Sequence, residues 1–260
     1  AWISNSRLTY EDSSTDYKNK FNTVIKKQIN HLINEIEGSE WVDDKMIGCS
    51  AIILTGLSYQ DKNNYLEIGL NLLRKLGKFS FDNDGFPKSR NIRQLCFYLK
   101  YFILIREWLK ESQSEIPDFI NENIYYLGQA YVFTWQNNKK DLLFNGNHET
   151  NNIDFDYYLK KLGYNFKNQS NELGGYAILN NKKTSLIMDI GPSPDKKFSS
   201  NYQAGALSFE IISSGKKLIC NSGYFQNHNH QLHEISKSSA IHSTLILDNR
   251  SSCKFNKTKK

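Results

Sequence analysis

The chain reads as an α+β multidomain protein in which helical hairpins come first and an antiparallel β-sandwich follows. Three observations predict this. Apolar residues recur at helical spacing up to roughly residue 136, the apolar period drops to two after about Gly174, and a mixed polar joint, "NNIDFDYYLKKLGYNFKNQSNE", lies between. The expected division is an α-helical domain over residues 1–165 and a β-sandwich domain over 166–260.

Taken in order, Phe21, Ile25, Ile29, Leu32 and Ile36 line one face of a helix expected from near Asp16 to Gly38. "MIGCSAIILTGLSY" is apolar nearly all round, as suits a helix packed on both sides. Leu66, Leu70, Leu73 and Leu76 stripe a third helix, expected to close at Gly77. "IRQLCFYLKYFILIREWLKES" and "IPDFINENIYYLGQAYVFTWQ" continue the pattern, the latter with Pro117 at its start. Short loops between such helices imply antiparallel hairpins. Beyond Gly174, "GGYAILNN", "TSLIMDIG", "GALSFEIISSG", "KKLICNSG" and "HSTLILDN" read as strands, with a hairpin turning on Ser214-Gly215.

A net charge of +6 spread over scattered Lys and Arg forms no nucleic-acid arm, so no nucleic-acid partner is expected. No apolar run is long enough to span a bilayer. The four cysteines, Cys49, Cys96, Cys220 and Cys253, have no CxxC spacing, which argues against zinc-ribbon and thioredoxin readings. The abrupt ends, "AWISNSRL" and "SSCKFNKTKK", read as those of a piece of a longer chain. Four of the six histidines, His228, His230, His233 and His242, crowd into "GYFQNHNHQLHEISKSSAIHSTLILDN". Their spacings of two, three and nine do not suit a helical zinc motif, and the first three read as loop residues.

"NYQAGALSFEIISSGKKLICNSGYF", followed by "KSSAIHSTLILDN", resembles the C-terminal sandwich of the heparinase II/III-like polysaccharide lyases. "DNDGFPKSRNIRQL" is similar to that family's Asp-Gly turn before a polar helix start. The resemblance implies a partial α/α toroid ahead of the sandwich, with both incomplete, and a divergent branch of the family. It implies β-elimination on acidic, uronic-acid-containing polysaccharides or oligosaccharides, and a periplasmic or cell-envelope setting. In such chemistry Asn, His or a cation neutralises the uronate, and Tyr or His moves the protons.

Carried over by position, the family's His-x-His segment falls on Asn201 and Gln203. The first position is usually the acid–base histidine and the second can bind a structural metal. The family's carboxylate falls on Asn221, its Arg on Lys237, and its Tyr on Gln94; His242 alone matches. No metal and no cofactor are therefore expected. The candidate catalytic residues are His242 and Tyr202, which stands between the two replaced histidines. The candidate substrate-binding residues are Arg90, Asn91, Trp41, Tyr224 and Lys237. Two readings stand for several of these. Asn91 either contacts a carboxylate or caps the helix from Ile92, and His242 is either catalytic or a structural histidine of the sandwich. Two other functions compete with a lyase. One is a glycan-binding protein that has lost the chemistry; the other is a glycoside hydrolase pairing Asp82 or Asp84 with Glu210.

Overall fold

The structure, a computed structural model, describes residues 3–59, 64–150 and 152–255. The chain forms two compact units. The first comprises Ala1–Ser80 with Lys100–Asn123, the second Phe81–Leu99 with Ile124–Lys260.

The first unit is helical. A short helix α1 (Ser6–Thr9) precedes α2 (Thr15–Glu35), whose first turn is closed by the Ser14 hydroxyl accepting from the Tyr17 N–H. α2 buries Ile25 and Ile29, then tightens into a 3₁₀ turn at Ile36–Gly38, as its apolar stripe predicts. α3 (Val42–Ser58) is buried on several sides through Met46, Cys49, Ile52 and Ile53. It packs closely on α4 (Tyr65–Ser80), where a Cβ on Gly69 would come within 2.7 Å of Ile53 Cγ1. Gly77 does not end α4. It lies in the buried face, and the helix continues to Ser80. α5 (Ile92–Glu111) and α6 (Asp118–Tyr131) each contribute residues to both units, and α6 runs into a π-helical turn at Val132–Gln136.

The second unit adds α7 (Ile153–Lys161) and one five-stranded antiparallel sheet in the order β1 (Glu172–Leu173), β2 (Tyr176–Asn180), β3 (Thr184–Asp189), β4 (Phe209–Ser213) and β5 (Lys216–Ile219). Helices followed by an antiparallel sheet is the order the periods imply. The β4–β5 hairpin turns on Ser214 and Gly215, both at positive φ (49° and 74°), as a two-residue I′ turn requires. Gly174 and Gly175 do the same between β1 and β2. One face of the sheet buries Tyr176, Ile178, Ile187, Asp189, Glu210 and Ile212. Among the described residues there is one sheet, the second layer of the expected sandwich not being among them. "HSTLILDN" is not a strand. Its only pairing there is an isolated bridge between Leu247 and Arg250. The segment touches β4 through Ser243, which accepts from the Phe209 N–H, while Leu245 and Leu247 stay exposed. A short helix, α8 (Gln231–Lys237), occupies part of the histidine-rich stretch.

Candidate functional site

The Asp82–Pro87 turn sets the geometry. Asp82 Oδ1 accepts from the N–H groups of Asp84 (3.0 Å) and Phe86 (2.8 Å), and Gly85 sits at φ +73°. A Cβ at Gly85 would come within 2.3 Å of Tyr126 Cβ, so only glycine fits. The chain then passes Arg90, itself at φ +57°, into α5. Asn91 Oδ1 accepts from the N–H groups of Arg93 (2.9 Å) and Gln94 (3.3 Å). Asn91 is thus the N-cap of α5, which favours the second of its two sequence readings.

Arg90 is 7% exposed and its guanidinium is committed to the protein. It donates to the carbonyls of Gly174 (3.1 Å), Gly175 (2.7 Å) and Pro192 (2.9 Å) and to Asp189 Oδ1 (2.5 Å). The guanidinium also lies over the Tyr176 ring. Asn145 donates to Asp189 Oδ2 and to the Tyr176 hydroxyl, which donates to the Arg90 carbonyl, closing a buried ring of polar contacts. Gly175 and Gly191 are glycine because a Cβ on either would fall within 2.7 Å of the guanidinium. An arginine so occupied locks the Asp-Gly turn to the sheet and has no fork to offer a substrate carboxylate. Sequence reading did not single out its partners Asp189, Asn145 and Tyr176, which lie far along the chain.

The positions where the resemblance would put metal ligands are filled by hydrogen-bonded amides. Gln203 is 1% exposed. Its Nε2 donates to the carbonyls of Gly223 (3.1 Å) and Ser236 (2.6 Å), and its Oε1 accepts from the Gly146 N–H (3.0 Å). Asn221 Oδ1 accepts from the Ser243 N–H (3.1 Å) and hydroxyl (3.2 Å). Asn201 Oδ1 accepts from the Tyr224 hydroxyl at 3.0 Å. Amide oxygens already taken up do not fit a zinc ion, and the carboxylate beside Asn221, Glu210, is itself engaged by the Leu143 and Asn221 N–H groups.

His242 is buried. One ring nitrogen hydrogen-bonds to the Ser236 carbonyl, while Nε2 has no partner. Burial pushes its proton affinity below the ordinary imidazole value and the Ser236 bond opposes this. Tyr202 is 5% exposed, hydrogen-bonded to Ser193, and its phenol is raised by burial. Burial likewise pushes Tyr224 up to about 12. Lys237 ends α8 half-exposed, its ammonium over the Phe255 ring. Trp41 belongs to the other unit and is 54% exposed just ahead of α3. His230 caps α8 through Nδ1, and His233 Nδ1 lies 2.7 Å from the Phe225 carbonyl while its Nε2 meets His228 Nδ1 at 3.1 Å. Two of the three loop histidines thus lead into or sit on α8, and all three make local contacts.

Glu210 rules out the paired-carboxylate hydrolase reading. It is fully buried on the inner sheet face, its Oε1 accepts from the Leu143 and Asn221 N–H groups, and Lys217 lies 3.6 Å from Oε2. A carboxylate that ties β4 to its neighbours cannot also face a sugar.

The state of His242 gives a pH prediction. Its folded pKa is depressed, so just below the unfolded value of about 6.5 the unfolded chain holds more protons and stability falls as acid is added. Replacing His242 by Gln removes that dependence. The stability difference between the parent and His242→Gln, read by urea melts from about pH 7.5 to 5.5, should therefore shift against the parent toward acid, by at most about 1.4 kcal/mol per pH unit. Parallel curves would show an unshifted histidine.

Residues 168–260 match the family model described as heparinase II/III-like, C-terminal. Three solved structures share the fold. A crystal structure of heparinase III has 15% identity and a TM-score of 0.76, the match covering 96% of this chain and 46% of that one. A heparinase III gene product with methylated lysines has 15% identity and a TM-score of 0.78, over 96% and 43% of the two chains. A mutant of the heparan sulfate lyase HepC from Pedobacter heparinus has 16% identity and a TM-score of 0.70, over 89% and 41%. The chain thus spans less than half the length of these relatives. No curated protein matches it. The heparinase II/III-like resemblance read from the sequence is borne out.

Proposed function

We propose that this chain is part of a polysaccharide lyase-related protein that acts on acidic, uronic-acid-containing glycans by β-elimination. What supports the reading is the likeness to heparinase III structures over 96% of the chain, together with the C-terminal family match. On this reading residues 1–165 and 166–260 correspond to a toroid-like and a sandwich-like module. Elimination needs the uronate charge offset, the C5 proton removed and the leaving oxygen protonated. His242 and Tyr202 are the proposed proton carriers. His242 Nε2, buried with no protein partner, is the atom proposed to take or give the proton. Tyr224 and Lys237 are the proposed sugar contacts of the second unit and Trp41 is, separately, one of the first, while Arg90 and Asn91 position the turn and α5.

A second reading, a glycan binder without chemistry, draws on the amides at positions 201, 203 and 221. The full-length protein is to be incubated with a panel of acidic glycans beside a His242→Ala variant. Ultraviolet absorbance from an unsaturated uronate, lost in the variant, is the expected result. Saturated products would mean hydrolysis, and binding without cleavage would establish the binder. No described helix is long and apolar enough to cross a membrane.

A further inference from the structure

We propose that Asn145–Gly146 is a deamidation site which the fold holds closed, and that its modification releases the clamp around Arg90. It is the one Asn-Gly step in the sequence. Such a step is chemically fragile because glycine, lacking a Cβ, lets its own backbone nitrogen reach the side chain before it. The Gly146 nitrogen attacks Asn145 Cγ, so that a C–N bond forms and the Cγ–Nδ2 bond breaks. Nδ2 leaves as ammonia with the Gly146 amide proton. Water then opens the cyclic imide at either carbonyl, leaving aspartate or isoaspartate.

The structure calls for both residues. The Asn147 N–H donates to the Phe144 carbonyl at 3.0 Å, closing a turn whose central residues sit at φ +40° and +84°. Positive φ at both central positions marks the I′ kind of turn, which Asn and Gly adopt most readily. A Cβ at Gly146 would meet Asn91 Nδ2 at 2.4 Å, so a side chain there would displace the amide that caps α5. Asn145 is 3% exposed, and its Nδ2 donates to the Tyr176 hydroxyl (2.7 Å) and to Asp189 Oδ2 (3.0 Å). Aspartate, the nearest residue in shape, has no proton to give there when ionised. The fragile pair is therefore fixed by the clamp itself.

The same contacts hold the reaction back. The leaving nitrogen is tied to two acceptors, and the attacking Gly146 N–H is spent on Gln203 Oε1 at 3.0 Å. Both must open before the imide can close, so the rate follows local opening of the loop. Either product then disables the buried ring of contacts. Aspartate would set a second carboxylate where Nδ2 now lies 3.0 Å from Asp189 Oδ2, and two carboxylates so close cannot both stay ionised. The Tyr176 hydroxyl has a single proton, already given to the Arg90 carbonyl, and cannot serve the new acceptor as well. Isoaspartate also lengthens the backbone and carries Gly146 away from Gln203. With the ammonia gone the change is one-way: a chain that stays open long enough to react cannot close the clamp again.

Peptide-mapping mass spectrometry of the full-length protein, incubated in mildly alkaline buffer, tests this. Deamidation at Asn145 should be slower in the native protein than in the same chain held unfolded in urea, by roughly tenfold or more. Gln203→Ala frees the Gly146 N–H, and Tyr176→Phe removes one acceptor of Nδ2. Each variant that circular dichroism shows to be folded should deamidate faster than the native parent. Should neither fold, the ratio of native to urea-held parent decides. Asn145→Asp, which carries the product from the start, should unfold at lower urea than the parent near neutral pH. Equal rates in the native and urea-held parent would overturn the proposal. So would a folded variant no faster than the parent, or an Asn145→Asp protein as stable as the parent.

Discussion

Replacing Arg90 by alanine should cost the second unit about 3–5 kcal/mol, the range for breaking a buried ion pair from one side. The substitution strands Asp189, 1% exposed, and leaves the carbonyls of Gly174, Gly175 and Pro192 without their donor. Lysine should not rescue, because one ammonium cannot reach acceptors that the planar fork spans on two sides. Urea melts of Arg90→Ala, Arg90→Lys and Asp189→Asn, with the Arg90→Ala/Asp189→Asn pair, would measure this. The double variant should be less damaged than the sum of the singles, since neutralising Asp189 removes the stranded charge. A loss under 1 kcal/mol for Arg90→Ala would mean the guanidinium is not the lock described above.

The second large effect is expected at Gln203. Truncation to alanine orphans the Gly146 N–H and the Gly223 and Ser236 carbonyls inside the fold, and should cost about 2–5 kcal/mol. Gln203→Met keeps most of the volume and removes the polar atoms. It should be nearly as damaging as alanine if hydrogen bonding is the cause, and close to wild type if packing is. Thermal and urea unfolding of the two variants side by side separates these causes.

The helices were legible because their apolar stripes are local and regular. Ile25 and Ile29 in α2, and Leu73 and Leu76 in α4, fall in the core where the period put them. The β4–β5 turn was legible for the same reason, since Ser-Gly between two strand-like runs states its own conformation. "HSTLILDN" misled because its alternation matches a strand while its Ser243 is spent on side-chain and single backbone contacts. "SRN" drew attention to the right turn, but the partners of Arg90 lie 84 to 102 residues away and leave no trace beside it. Glu210 lies between Phe209 and Ile211, and neighbours apolar on both sides hide which face a strand residue takes. Pairings that join distant segments are set by topology, which a linear pattern carries only weakly.

The second unit is written in two pieces, with Lys100–Asn123 intervening, and this bears on how the protein is made. During synthesis Arg90 leaves the ribosome long before Asp189 and Pro192 exist. Its left-handed backbone and its charge must wait, solvated, for about a hundred more residues, at a loop-closure cost that grows only slowly with length. Helical hairpins can form at once, but the turn that leads into α5 is clamped only when β3 arrives. Nascent chains halted before residue 189 should therefore show helix without this clamp, and their Asp82–Asn91 segment should be cut by protease where the finished protein resists.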